Sequence, residues 1–110
     1  RKVLAFAGIA DPQKFFATLA EGGVVIAGRA SFPDHNRYSA AEAQALIARA
    51  DAENLMLVTT EKDLARLTGD GRLTQLAARA SALPVRLIVD EEEQFQQMVL
   101  DVLKRRKTDL

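Results

Sequence analysis

Four short apolar runs punctuate the chain: VLAFA at 3–7, VVIA at 24–27, LMLVTT at 55–60 and VRLIV at 85–89. The first three show little alternation of apolar and polar residues. Unbroken runs of this length suit strands covered on both faces, as in a parallel sheet. The segments between them carry helical spacing. The first helix is expected to begin at DPQKFF, with Asp11 as N-cap and Pro12 at the first helical position, where a missing N–H costs nothing. Phe15, Phe16 and Leu19 then face the sheet, and EGG ends the helix at Gly22 or Gly23.

A second helix follows the loop SFPDHNRYS at 31–39. Ser39 and Glu42 are spaced as a capping box, and Ala43, Leu46, Ile47 and Ala50 make one apolar face. EKDLARL predicts a short helix that stops at GDG, and LTQLAARASAL a further one leading to Pro84 and the fourth strand. The last helix, over about residues 91–107, buries Phe95, Met98, Val99, Val102 and Leu103. Acidic residues open it and KRRK closes it, as the helix dipole favours; a lipid-surface patch is the other reading of KRRK.

The order β-α-β-α-β-α-α-β-α implies an α/β fold: a three-layer sandwich around a four-stranded, mainly parallel sheet, with 2-1-3-4 the chosen strand order and other doubly wound orders the alternatives. At 110 residues the chain makes one domain. Fifteen basic side chains balance fifteen acidic ones, so no net field draws the domain to nucleic acid or to an anionic membrane. The absence of cysteine removes disulfides, thiolate metal sites and cysteine nucleophiles. No apolar run approaches the ~18–20 residues that span a bilayer. The chain opens at Arg1 and is apolar by Val3, which reads as a domain excised from a longer protein.

In such a sheet, ligands meet the carboxyl ends of the strands. GIADP, SFPDHNRYS and TTEKD all fall there. Gly8 and the amides after it suit either an anion or a tight strand–helix turn, with Gly8 present for backbone freedom. In TTEKD, Thr59 or Thr60 caps the short helix and Asp63 supplies early-turn negative charge, while Glu61 stands beside them and Lys62 is available to a phosphate. His35, the one histidine, can act as acid, base or relay, and Asp34 beside it can orient the ring; a solvated loop histidine is the plainer alternative. No third ligand accompanies this pair, so no metal site is expected.

Taken together, LAFAGIADPQKFFATL, FPDHNRYS and LVTTEKDLARL resemble, in order and spacing, the C-terminal domain of the tetraacyldisaccharide 4'-kinase family, with EKDLARL a variation on EKDAVRL. The resemblance covers essentially the whole chain. It implies residues 1–110 as the smaller C-terminal lobe of a two-lobed P-loop kinase of Gram-negative lipid A biosynthesis. Such enzymes move the γ-phosphate of ATP to the 4'-hydroxyl of a tetraacylated disaccharide 1-phosphate, giving lipid IVA. The resemblance implies that ATP and Mg2+ belong mainly to the N-terminal P-loop lobe, which is also the partner of this one. It places the whole protein at the cytoplasmic face of the inner membrane and leaves the fragment inactive alone. It makes His35 the partner of an aspartate in the other lobe, and Gly8, Asp34, Thr60, Glu61, Lys62 and Asp63 motif residues at the edge between lobes or near substrate. A stand-alone regulatory or small-ligand-binding module is the competing expectation.

Overall fold

The structure, a computed structural model, describes residues 2–83. Its elements are β1 (Val3–Ala7), α1 (Pro12–Glu21), β2 (Ile26–Ser31), α2 (Ala40–Glu53), β3 (Met56–Thr60), α3 (Glu61–Thr68), a 3-10 turn (Gly71–Leu73), α4 (Thr74–Arg79) and β4 (Ala80–Leu83). The strands form one sheet in the order β2-β1-β3-β4, and every pairing is parallel. The expected α/β class and strand order are therefore those observed.

β1 and β3 are buried along their whole lengths, which explains their unbroken apolar sequence. β1 alternates between two cores. Val3, Ala5 and Ala7 meet Phe15, Phe16 and Leu19 of α1. Leu4 and Phe6 turn to the opposite core, built from Ala43, Leu46, Ile47 and Ala50 of α2 with Leu67, Leu73 and Leu76. Helices thus cover both faces. Right-handed crossovers require this when β1 leads outward to β2 and β2 leads back across β1 to β3.

Local signals set the helix ends as expected. The Asp11 side chain accepts from the N–H of Lys14, and Ser39 and Glu42 form the full reciprocal capping box of α2. At the end of α1, Gly23 has φ 88°, a conformation that favours glycine. Its N–H bonds Ala20 O, and the Val24 N–H bonds Leu19 O, which together form a Schellman cap.

That cap shifts the second strand. Val24 packs into the α1 core and spends its N–H on the helix end, so the strand is not residues 24–27 but Ile26–Ser31. As an edge strand it is half exposed, and its sequence, IAGRAS, lacks the apolar run that marks a central strand.

The fourth helix also ends earlier than expected. α4 stops at Arg79, and Ala80–Leu83 pairs with Leu57–Thr60 as β4. Alanine-rich ASAL has helical propensity, but pairing along β3 overrides it. The expected strand at 85–89 and helix at 91–107 lie outside the described residues. Among the described residues no helix is long and apolar enough to cross a membrane.

Candidate functional site

Strand order reverses between β1 and β3, so the crevice at their carboxyl ends is the expected ligand position for this topology. β1 delivers Gly8 to that crevice, and β3 delivers Thr60 and the first turns of α3. Asp63 fills the space between them. Its side chain is fully buried, and its Oδ1 accepts from the Gly8 N–H at 2.9 Å and the Tyr38 hydroxyl at 2.8 Å. The Thr60 hydroxyl donates to Oδ2 and accepts the Asp63 N–H at 3.1 Å, which makes Thr60 the N-cap of α3. Arg66, one helical turn further on, contributes Nη1 at 3.2 Å from Oδ1.

A buried carboxylate is tolerated only when paired and hydrogen-bonded, and Asp63 is both. The bonds it receives join the loop after β1, the loop after β2 and the start of α3. Tyr38 is held between Phe6 (ring centroids 5.8 Å apart) and Phe32 (5.0 Å). Burial pushes its phenol far above the ordinary value near 10.0. The negative charge of Asp63 and its hydrogen bond push in the same direction, and Arg66 opposes them.

Gly8 is present for space. A Cβ there would lie 2.9 Å from Asn36 Cβ, 3.0 Å from the Pro33 carbonyl oxygen and 3.3 Å from Asp63 Oδ1. Its φ is not in the left-handed range, so close approach of the loop, not the backbone freedom expected from sequence, selects glycine. The Gly8 carbonyl accepts from two groups: the His35 N–H at 3.1 Å and Arg66 Nη1 at 2.7 Å.

His35 sits at the tip of the loop after β2 with φ 60°, in the left-handed region that few non-glycine residues occupy. Its side chain is 81% exposed, with Nε2 3.6 Å from Asp34 Oδ2 and Nδ1 3.2 Å from Arg66 Nη2. The ring is thus presented to the outside of the edge by a fixed loop. Asp34, His35, Asp63, Gly8 and Thr60 come together as one cluster. Glu61 and Lys62 stand exposed in the first turn of α3 and enter none of these bonds. Asp63 is a buried hub here, a role beyond early-turn charge. Among the described residues no three potential metal ligands are grouped.

Arg66 and Tyr38 were not singled out from the sequence. The i, i+3 spacing of Asp63 and Arg66 is the one local signal for the first; the second reaches Asp63 across 25 residues.

Residues 1–104 match the family model described as tetraacyldisaccharide-1-P 4'-kinase. Among curated proteins, the tetraacyldisaccharide 4'-kinase of Afipia carboxidovorans is 50% identical over 105 residues, 96% of this chain and 30% of that protein. The same-named protein of Rhodopseudomonas palustris strain BisA53 is 49% identical over 100 residues, 91% of this chain and 29% of the relative. That of Rhizobium meliloti is 48% identical over 91 residues, 82% of this chain and 26% of the relative. This chain therefore spans about a third or less of the proteins it matches. No solved structure matches it. With a family match reaching from the first residue nearly to the last, the chain belongs to the tetraacyldisaccharide-1-P 4'-kinase family.

Proposed function

We propose that this chain is the C-terminal lobe of a two-lobed P-loop kinase that transfers the γ-phosphate of ATP to the 4'-hydroxyl of tetraacyldisaccharide 1-phosphate, giving lipid IVA. The family match over residues 1–104 carries the reading, and the cluster at the β1/β3 edge supports it. Phosphoryl transfer depends mainly on positioning and charge, with a group that aligns the attacking hydroxyl. His35 is the residue we assign to that task, acting with an aspartate of the other lobe. Its exposed ring on a well-bonded loop suits a group that works on something brought from outside this chain.

Asp63 is fully buried and engaged by four internal donors, which closes it to a magnesium ion from outside. We therefore assign ATP and Mg2+ to the P-loop lobe. In this proposal, Lys62 and Glu61 border the interlobe edge, Lys62 near an anionic group of substrate or nucleotide. The whole protein works at the cytoplasmic face of the inner membrane, where its lipid substrate resides. Incubating radiolabelled ATP with tetraacyldisaccharide 1-phosphate tests this. Label should enter the lipid with the full-length protein and not with residues 1–110 alone. Failure of transfer by the full-length protein removes the kinase assignment, and transfer by residues 1–110 alone removes the assignment as a partial lobe.

A further inference from the structure

We propose that Arg66 is a positioning residue for His35: it fixes the ring orientation and leaves the imidazole proton on Nε2. Guanidinium has donors and no acceptor. The 3.2 Å contact between Arg66 Nη2 and His35 Nδ1 is therefore a hydrogen bond only if Nδ1 offers its lone pair. In a neutral imidazole the proton then resides on Nε2, because the bond made by one ring nitrogen sets the state of the other. Nε2 lies on the side of Asp34, whose Oδ2 at 3.6 Å favours an N–H over a second lone pair.

Arg66 is itself fixed. Its Nη1 bonds the Gly8 carbonyl at 2.7 Å and lies 3.2 Å from Asp63 Oδ1, and the side chain is only 21% exposed. The Gly8 carbonyl also takes the His35 N–H, so Arg66 grips both the ring of His35 and the backbone group that holds its loop. A planar fork spans these three acceptors. A lysine ammonium keeps the charge and loses the geometry. The consequence is chemical: His35 presents an N–H donor outward, suited to orienting a carboxylate or a phosphoryl oxygen, and not a free lone pair that removes a proton directly.

The kinetic arm of the test rests on the kinase reading; the spectroscopic arm does not. In the full-length protein with 15N-labelled histidine, the ring signals of His35 are identified by their loss in His35→Gln. At a pH where the ring is neutral, Nδ1 should be unprotonated and Nε2 protonated. In Arg66→Met and Arg66→Lys the two resonances should move toward each other as the tautomers mix. A protonated Nδ1 in the wild type, or unchanged ring nitrogens in a folded Arg66 variant, overturns the proposal. Should Arg66→Met not fold, Arg66→Lys and the wild-type tautomer still decide it. In kinetics, Arg66→Lys should lower kcat about 10–100-fold, as for partners that orient a working imidazole. KM for both substrates should stay within about twofold, because orientation is lost and not binding. Where His35→Gln lowers kcat, wild-type kcat in Arg66→Lys also overturns the proposal. If His35→Gln itself turns over normally, the catalytic reading of His35 fails, while the tautomer result still tests Arg66.

Discussion

Gly8 is the residue where the edge has least room. An added methyl must push the 33–36 loop away from β1, and this disturbs the Gly8–Asp63 bond as well. Gly8→Ala is expected to destabilise the chain by about 1–3 kcal/mol, the usual cost of overpacking a tight site, read from urea unfolding. A glycine needed for backbone freedom alone would not be so penalised here, because its φ is ordinary. Tyr38 gives a separate test. Its folded-state pKa lies well above 10.0, so the folded chain keeps a proton that the unfolded chain loses. The stabilisation is complete below about pH 10 and declines as pH rises beyond it. Tyr38 is the sole tyrosine and the chain has no tryptophan, so phenolate absorbance reads it directly. Absorbance should lag behind that of the denatured chain and rise only with unfolding; a simple titration near pH 10 in the folded chain contradicts the burial. At this scale the sequence showed residue types but not partners. Asp63 looked like helix-start charge because two of its donors, Gly8 and Tyr38, come from 55 and 25 residues away.

Elements were more legible, because their signals are local. The caps Asp11, Ser39 and Thr60 bond where their spacing indicates. Ser39→Ala removes the acceptor for the Glu42 N–H and should cost about 1 kcal/mol, with α2 fraying from that end. Loss of amide protection confined to the first turn of α2 would confirm it, and an unchanged melting temperature would contradict it. One strand was misplaced and one helix drawn too long, both for reasons that only tertiary structure supplies. Val24 and Val25 look like strand residues, yet the Schellman cap takes Val24 for the α1 core and delays β2. ASAL looks helical, yet β3 offers a ladder that begins at Ala80. An edge strand is exposed on part of its surface, so apolar runs undercount it.

Across the described residues, the alternation of apolar runs and amphipathic segments was enough to specify a parallel sheet with helices on both faces. The strand order was one choice among doubly wound orders and is the one observed. The same order puts the switch between β1 and β3, and the motif-bearing loops collect there. What was not legible is that this crevice is plugged. Asp63, Tyr38 and Gly8 close it, and the exposed ring of His35 lies in the layer above, against Arg66. A plugged crevice with an exposed imidazole on top fits a lobe that completes a site shared with another part of a longer protein. The most direct measurement is the steady-state turnover of the full-length protein carrying His35→Ala, with ATP and tetraacyldisaccharide 1-phosphate as substrates. A group that holds the reacting atoms in line is worth about 100-fold, so kcat should fall by about that factor with the melting temperature preserved. Wild-type turnover in that variant would contradict the assignment of His35 to phosphoryl transfer.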